Sequence, residues 1–419
     1  MNSLYASLAL IWHSDLVLLG LSIFIFDIPR YTLSIIATAA LPALKSRSNR
    51  ATQGHRPQIS AIIATHNGGD TLLRSIDALR RQTLPPTEII VIDDGSTDDT
   101  RAISEQALQA GLISAVFRHG TRCGKSAAIN HGARFAKGEL LVNIDDDTVL
   151  GPTSLANLSA AVMDRQLAIA SGNLAIGNKD ASLWTSLQAI EYLVSITTGR
   201  RFLALIDSIS CCSGAFSMFR RNIYIAIGGM NVGPGEDLEI TLRARKVGYR
   251  VGFVPEASAY VDGLTSFRGL ARQRQRWDRD ALRIRFFMFR EWTFRKPFEN
   301  LGDTLQRLDF IIFDLFPSLM FPFYVLYIMA IFGSNTLAYL LGIYLILLPL
   351  ALLNIGIVLI KTRHRLTMFD AASTLLFPVY QGILMKLVRF VAFSTELIYP
   401  MKRDSYVPPR VLRALFEQR

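Results

Sequence analysis

The fold is decided by residues 140–148, LLVNIDDDT, in which an apolar run ends in three consecutive aspartates. This pattern predicts a buried strand whose carboxyl end opens into a cleft, the place where α/β sheets bind ligands. Asp145 and Asp147 are two residues apart, so an extended chain would point both carboxylates into one small volume. Mg²⁺ favours one or two carboxylates plus substrate phosphates. Taken alone, an acidic run is more often a solvated turn, so the metal site depends on the rest of the chain.

The composition indicates a soluble middle flanked by membrane segments. Half of the 419 residues (50%) are hydrophobic, the mean hydropathy is +0.29, and the apolar residues concentrate at the two ends. The net charge of +11 comes from Lys and Arg beside apolar segments. A positive-inside bias near anionic lipid explains this charge better than nucleic-acid binding, which we exclude. The three cysteines, Cys123, Cys211 and Cys212, predict neither a disulfide framework nor a zinc site, and they suit a cytosol-facing domain.

Hydropathy and charge divide the chain into four predicted segments. They are an uncleaved membrane anchor with a basic linker at residues 1–50, a cytoplasmic α/β domain at 51–265, amphipathic interfacial helices at 266–305, and membrane helices with a basic tail at 306–419.

The number of membrane spans stays open in the apolar segments at both ends of the chain. The N-terminal anchor fits one tilted span or a helical hairpin. Residues 308–332 and 336–360 predict two spans, followed by a basic loop at 361–365 that is expected to face the cytoplasm. The third apolar stretch, residues 371–397, contains Lys386 and Arg389 near its middle. A full crossing there would place the basic tail outside, so the charge pattern favours an interfacial or re-entrant element.

Strands alternate with helices from residue 58 onward, which predicts a mainly parallel sheet with helices on both faces. The helix after the second strand is expected to begin at an N-cap of Ser96 or Thr97 and to stop at Gly111. Residues 167–262 show a less regular pattern. The predicted strands are Ile59–Ala64, Glu88–Ile92, Ile113–Phe117 and Glu139–Ile144, and a helix is predicted at Lys125–Ala136.

Two motifs in this region carry groups suited to a nucleotide. Asp94 lies in a D-D-G-S motif at a strand end, where its carboxylate can accept hydrogen bonds from a base or ribose, although a helix-capping turn is an equal alternative. Lys125 follows Gly124 in a G-K-S triplet that suggests a P-loop. That motif needs a glycine five residues before Gly124, where His119 stands. A lysine offered to a diphosphate remains as a hypothesis.

Two later motifs carry groups suited to transfer chemistry. Glu236 and Asp237 open a helical stretch, where the helix dipole favours acids, but Asp237 is also a candidate general base for a hydroxyl nucleophile. Gln273, Arg276 and Trp277 lie in the sequence QRQRW. A solvated basic helix face explains the arginines but not the glutamine and tryptophan in register beside them. Arg276 could neutralise a leaving diphosphate, and Trp277 could stack on a sugar ring.

In chain order, the motifs D-D-G-S, G-K-x-x-A-x-N, D-x-D, G-E-D and Q-x-x-R-W resemble those of the processive membrane glycosyltransferases of family 2. That family includes hyaluronan, chitin, cellulose and poly-N-acetylglucosamine synthases, and the resemblance covers residues 58–277. It implies a GT-A nucleotide-sugar fold and inverting transfer from a UDP-sugar to a growing glycan, with Mg²⁺ or Mn²⁺ as cofactor. It also implies coupling to export across a bacterial inner membrane. UDP-N-acetylglucosamine is the first candidate donor, because residues 210–215, SCCSGA, are similar to hyaluronan and chitooligosaccharide synthases.

The resemblance implies a role for each residue that matches a family motif. It implies nucleotide binding by Thr65, Asn67, Asp94, Lys125 and Asp145; metal binding by Asp145 and Asp147; catalysis by Asp237 with Glu236 beside it; and acceptor or diphosphate binding by Gln273, Arg276, Trp277, Ser213 and Gly214. The chain departs from the family at residues 65–68, THNG, where many relatives carry tyrosine before the asparagine and glutamate after it. The contacts around the nucleotide therefore stay open.

Two other functions remain as alternatives. A non-processive enzyme that moves one sugar to a polyprenyl phosphate or glycolipid would share the nucleotide and metal sites, but it does not need Q-x-x-R-W. A catalytically inactive membrane scaffold would keep the fold alone, and the intact Asp145, Asp147, Asp237 and Arg276 argue against it. The expected partners are the donor, the growing glycan and membrane lipid, and the sequence does not reveal accessory export subunits.

Overall fold

The computed structural model describes residues 23–41, 56–231, 233–291, 301–362 and 368–400. The basic linker, most of the predicted basic loop at 361–365 and the basic tail lie outside the described residues. The strands are β1 Ile59–Thr65, β2 Glu88–Asp93, β3 Ala115–Arg118, β4 Leu140–Asp145, β5 Val149–Leu150, β6 Ile169–Ile176, β7 Phe216–Arg220 and β8 Val251–Val261. The α-helices are α1 Ile28–Ala40, α2 Leu72–Arg80, α3 Thr100–Gln109, α4 Lys125–Phe135, α5 Ser154–Asp164, α6 Leu183–Tyr192, α7 Arg200–Leu205, α8 Arg221–Ala226, α9 Glu236–Lys246, α10 Phe267–Leu282, α11 Leu301–Asp309, α12 Phe316–Phe332, α13 Thr336–Thr362, α14 Met368–Val379 and α15 Met385–Ile398.

The eight strands form one mixed sheet in the order β3-β2-β1-β4-β7-β6-β8-β5. Within the described chain, four of the seven pairings are parallel and three are antiparallel. The prediction of a mainly parallel sheet holds for β1 to β4 and is wrong around β7. The segment between β6 and β7 contains α6 and α7. It begins and ends at the same end of the sheet, since Ile176 and Ala215 line one cavity there. β7 therefore starts near the end where β6 finished and runs antiparallel to it.

Apolar residues cover both faces of the sheet, as predicted. In β1, Ile59 and Ile63 face Leu72 of α2, whereas Ile62 between them faces the other side and packs near Ile129 of α4. Adjacent strand residues point to opposite faces, so a strand buried on both sides needs a continuous apolar run. This requirement is why the sequence identified β1, β2 and β4 readily.

The loop after β2 differs from the prediction. α3 begins at Thr100, whose amide donates to Asp98 Oδ1 at 3.1 Å, so the predicted N-cap at Ser96 or Thr97 is wrong. The Ser96 hydroxyl instead accepts a hydrogen bond of 3.0 Å from the Asn67 amide. The Ser96 side chain, predicted to cap the helix, therefore links the loops that follow β1 and β2 through this hydrogen bond.

Two helical runs, Leu301–Thr362 and Asp370–Ile398, are long and apolar enough to cross a membrane. In the first run a short turn at Gly333–Asn335 separates α12 from α13, and the Phe332 and Tyr339 rings stack across it with centroids 4.6 Å apart. This turn lies between residues 308–332 and 336–360, and two membrane spans there stay a prediction. Residues 371–397 lie in the second run, and whether that run crosses the bilayer or lies at its surface stays a prediction.

α10 joins the sheet domain to the helices at the C-terminal end of the chain. It packs along α15, where Arg279 Nε lies 2.8 Å from Oε2 of the fully buried Glu396. A second ion pair links Lys179, which follows β6, to Asp370 of α14 at 2.9 Å. Buried charge pairs of this kind fix relative orientation, because either charge alone would be costly in such a place.

Replacing Gly172 of β6 with alanine is expected to destabilise the sheet domain. A Cβ at this position would overlap the Phe216 ring on the neighbouring strand β7, and overpacking of this kind costs about 2 kcal/mol. We expect a lower apparent melting temperature for the purified protein in detergent. Gly120→Ala is the control, since a Cβ there meets nothing within 4 Å. Equal melting temperatures for the two variants would contradict this packing.

Candidate active site

A cavity of about 660 Å³ opens at the carboxyl ends of β1, β2 and β4. Its wall includes every residue assigned to the site from the sequence except Asn67: Thr65, Asp94, Lys125, Asp145, Asp147, Ser213, Gly214, Glu236, Asp237, Gln273, Arg276 and Trp277. Residues that lie more than 200 positions apart in the sequence therefore meet in one concave space, the arrangement expected of a binding or catalytic site.

The three aspartates after β4 do not have equal environments. The hydroxyl of Thr65 donates to Asp146 Oδ2, which holds the middle carboxylate against the loop after β1. Burial, together with the neighbouring charges of Asp145 and Asp146, raises the pKa of Asp147 to about 6. Two carboxylates with oxygen donors, one of them destabilised in its charged form, fit a hard divalent cation, which would relieve that repulsion. Asp145 and Asp147 are therefore the candidate metal ligands.

Lys125 supplies a positive charge at the start of α4. Its ammonium donates to Asp145 Oδ1 and, at 3.1 Å, to the Gly214 carbonyl, and it lies 3.8 Å from Glu236 Oε1. Burial lowers the pKa of Lys125, but the charges of Asp145 and Glu236 outweigh it and raise that pKa above its usual value. The lysine is therefore charged, and a cationic group faces the space between the aspartates and α9.

Asp237 is oriented by the chain around it. Its Oδ2 accepts a hydrogen bond of 3.1 Å from the Gly214 amide, and its Oδ1 accepts one of 2.8 Å from the Leu238 amide. A Cβ on Gly214 would lie 3.3 Å from Asp237 Oδ2, so a glycine lets the backbone come this close. Burial raises the pKa of the adjacent Glu236 to about 7, partly offset by Lys125. The carboxylate of Asp237 is thus fixed at the cavity wall, beside a glutamate whose pKa is raised by burial.

Asp94 is held by the protein itself. The amides of Cys123 and Gly124 donate to its two oxygens at 2.8 Å each, and His119 Nδ1 lies 2.8 Å from Oδ1. Burial acts to raise the pKa of Asp94, but the hydrogen bonds from His119 and the two amides hold it below its usual range. The carboxylate therefore fixes the turn that leads into Lys125, at the edge of the cavity.

Asn67 is the one sequence-assigned residue that lies outside the cavity wall. It is exposed, it adopts a left-handed backbone conformation with φ of 58°, and its Oδ1 accepts a hydrogen bond of 2.8 Å from the Thr97 amide. Its visible contacts join the loops after β1 and β2. Nucleotide binding by Asn67 stays a prediction.

Gln273, Arg276 and Trp277 of α10 also line the cavity. The Trp277 side chain is 39% exposed, which leaves a face of its ring open. Gln273 Oε1 is buried without a hydrogen-bond partner among the described residues, a costly state that a donor hydroxyl would relieve. This side of the cavity thus offers a stacking surface and a hydrogen-bond acceptor.

The structure adds wall residues that the sequence analysis did not single out. Arg200, at the start of α7, donates to Ser171 Oγ at 3.2 Å and faces the cavity. Asp280, one turn beyond Arg276, is buried, and this burial raises its pKa to about 7. Asp280 lies three residues after Trp277 on the same helix, so helical spacing could have indicated it. Arg200 has no motif around it and depends on tertiary structure alone.

The strand order and the position of the cavity define the class of fold, the GT-A fold. The mannosyltransferase PcManGT of Pyrobaculum calidifontis, solved with GDP-Man and Mn²⁺, superposes with a TM-score of 0.62 at 19% identity, covering 91% of this chain and 97% of that one. Residues 60–228 match the family described as Glycosyl transferase family 2. The chain thus contains a domain of glycosyltransferase family 2 and is a glycosyltransferase.

Curated relatives agree with this assignment. An N-acetylglucosaminyltransferase of Azorhizobium caulinodans is 29% identical over 272 residues, covering 59% of this chain and 68% of the relative. A similar enzyme of Mesorhizobium japonicum is 27% identical over 56% of this chain and 58% of its own length. A poly-beta-1,6-N-acetyl-D-glucosamine synthase of Staphylococcus epidermidis is 27% identical over 52% of this chain and 53% of the relative. The chain thus spans between about half and two thirds of the relatives it matches.

Proposed function

We propose that the chain is a metal-dependent, inverting polysaccharide synthase that transfers N-acetylglucosamine from UDP-N-acetylglucosamine to the end of a growing glycan. One observation carries this proposal: Asp145, Asp147, Asp237 and Trp277 line a single cavity. A donor site, a base and an acceptor platform are then within reach of one another, which a transferase needs. The named N-acetylglucosaminyltransferase relatives support the choice of sugar.

The donor is expected to lie along the carboxyl ends of β1, β2 and β4. Asp145 and Asp147 would hold Mg²⁺ or Mn²⁺, which supplies charge stabilisation for a leaving diphosphate. Lys125 offers its ammonium to the same phosphates, and Thr65 and Asp94 belong to the wall beside it. The Lys125 ammonium and a divalent cation held by the two carboxylates would together balance the negative charge of a nucleoside diphosphate.

Asp237 acts as the general base. Its carboxylate accepts the proton of an acceptor hydroxyl, and the hydroxyl oxygen forms a bond to the anomeric carbon as the bond from that carbon to the UDP oxygen breaks. Attack from the side opposite UDP inverts the configuration. Arg276 and Lys125 neutralise charge that develops on the departing diphosphate. Gly214 maintains the position of the base through its amide.

The remaining part of the proposal concerns what happens to the product. The acceptor end rests on Trp277, and each addition is followed by a shift of one unit. The helical runs at residues 301–362 and 370–398 would receive the growing chain, which couples synthesis to export across an inner membrane with the catalytic domain in the cytoplasm. A non-processive transfer to a polyprenyl phosphate or glycolipid is the competing function, and an inactive scaffold is the third.

The deciding experiment offers the purified full-length protein a panel of UDP-sugars with Mg²⁺ or Mn²⁺. UDP release identifies the donor, and digestion of the product with defined glycosidases identifies the linkage and length. A polymer made from UDP-N-acetylglucosamine supports the proposal. Single-sugar lipid products would replace it with the non-processive function, and no UDP release from any donor would favour the scaffold.

Replacing Trp277 with alanine is expected to shorten the product. Stacking between an aromatic ring and a sugar contributes to retention of the acceptor end, so its loss makes release compete with the next addition. The measurement is the length distribution of radiolabelled product. Tyr260→Ala removes an exposed aromatic from β8 outside the cavity wall and serves as the control. An unchanged length distribution in Trp277→Ala would remove this residue from the acceptor site.

A further inference from the structure

The first arginine of QRQRW, Arg274, lies in a buried network rather than in the cavity wall. Arg274 is only 8% exposed, and its Nη2 donates to Glu191 Oε2 at 2.9 Å. The same carboxylate oxygen accepts a hydrogen bond of 2.7 Å from the Tyr380 hydroxyl. Glu191 comes from the end of α6, whereas Tyr380 belongs to the helical run 370–398 that is long enough to cross a membrane. Three distant parts of the chain therefore meet at one carboxylate.

The other side of Arg274 faces the acceptor platform. Its guanidinium carbon lies 4.3 Å from the centroid of the Trp277 ring and 5.7 Å from that of Tyr192. Among the described residues, no further cation or aromatic ring contacts the Trp277 ring. A cation over the face of an indole is an attractive contact, and it is stronger where water is excluded.

The geometry of a guanidinium connects these two contacts. The group is planar and rigid, so the hydrogen bond to Glu191 restricts the direction of its face as well as the position of its edge. Glu191 accepts a hydrogen bond from Arg274, Tyr380 donates one to Glu191, and the guanidinium lies over the Trp277 ring. A lysine in place of Arg274 would keep the charge near Glu191 but would present no flat surface to the indole.

We propose that Arg274 is a positioning residue that orients the Trp277 ring for the acceptor, and that the helical run 370–398 sets Arg274 through Tyr380 and Glu191. This inference rests on the proposed function in assigning the acceptor to Trp277. It adds a specific set of contacts by which the helical run 370–398 influences the binding of the acceptor end at Trp277. Lys125, Asp145 and Asp147 make none of these contacts, so donor binding is expected not to depend on this path.

The kinetic test uses conservative variants of the full-length protein, because Arg274→Leu would leave Glu191 buried without its partner and could prevent folding. Arg274→Lys and Tyr380→Phe are compared with wild type using UDP-N-acetylglucosamine and an N-acetylglucosamine oligosaccharide. We expect the KM for the oligosaccharide to rise about fivefold in Arg274→Lys, as loss of a cation–aromatic stack predicts, and less in Tyr380→Phe. The KM for the donor should stay unchanged.

Two matched variants control for general effects. Arg272→Lys makes the same change at an exposed position of the same helix. Tyr344→Phe removes a hydroxyl that bonds the Leu375 carbonyl at 3.0 Å, between two membrane-region helices and away from the cavity wall. Neither should alter the KM for the oligosaccharide. Equal KM values in Arg274→Lys and Arg272→Lys would overturn the proposal.

A spectroscopic test separates this inference from the proposed function. The chain has four tryptophans, and Trp12→Phe, Trp184→Phe and Trp292→Phe together leave Trp277 as the single emitter. In this background, acrylamide quenching of Trp277 is expected to increase in Arg274→Lys and Tyr380→Phe and not in the two controls. Unchanged quenching refutes the positioning role. If the wild-type protein transfers no sugar, the proposed function fails, and the quenching comparison alone decides on the positioning role.

Discussion

Replacing Asp237 with asparagine is expected to lower kcat about 10³-fold, the usual contribution of a positioned general base. Asparagine keeps the shape of the side chain, and its oxygen can still accept the hydrogen bond from the Gly214 amide. The variant should therefore fold and bind UDP as wild type does. The measurement is UDP release and sugar incorporation at saturating donor and acceptor, together with UDP affinity by calorimetry.

The control for this variant is Asp77→Asn, which alters an exposed carboxylate of α2 that pairs with Arg81 at 2.8 Å and lies outside the cavity wall. We expect it to retain wild-type turnover. If Asp237→Asn also retained wild-type turnover, the base would have to be another group. Glu236 would then be the next candidate, because burial has already raised its pKa to about 7.

The second large effect is expected from Asp147→Asn. This change removes one of two carboxylates available to a divalent cation, the one whose pKa is raised by burial and by the charges of Asp145 and Asp146. We expect activity to fall about 10³-fold, comparable with the loss of a group that stabilises charge in the transition state. The measurement is turnover over a range of Mg²⁺ and Mn²⁺ concentrations, and partial recovery at high metal concentration would indicate weakened binding.

The neighbouring Asp146→Asn provides a stringent comparison. It removes the same charge one residue away, but the Asp146 carboxylate already accepts a hydrogen bond from the Thr65 hydroxyl. We expect its metal dependence to resemble that of the wild type. Similar losses in the two variants would mean that activity requires the total negative charge of the aspartates and not metal ligation by Asp147. Removal of divalent ions with a chelator should abolish wild-type turnover, and turnover that persisted would contradict a metal-dependent reaction.

The sequence was informative where local rules apply. β1, β2 and β4 were predicted to within one residue at each end, because a doubly buried strand needs a continuous apolar run and ends where polar residues begin. α4 was placed equally well. The five motifs indicated the family and part of the cavity wall, since side chains at the carboxyl ends of adjacent parallel strands must lie near one another.

The sequence was uninformative where tertiary structure decides. β7 reads as an ordinary apolar strand, and nothing in residues 216–220 shows that it enters the sheet antiparallel beside β4. Ser96 and Thr97 have the chemistry of helix caps, but a bond to Asn67 competes for the serine hydroxyl. Glu191 carries no motif, and its importance comes only from Arg274 and Tyr380, which lie at least 83 positions away.

The contact between Lys125 and Asp145 affects the order in which ligands can enter. One ammonium already serves as counterion to a carboxylate that a divalent ion would also need. A free ion approaching the protein alone would compete with the charge of Lys125, whereas under the proposed function a nucleotide diphosphate would give the lysine a new partner and release Asp145. The metal is therefore expected to arrive as a chelate with its nucleotide, so that the ligands bind as one unit and not in succession.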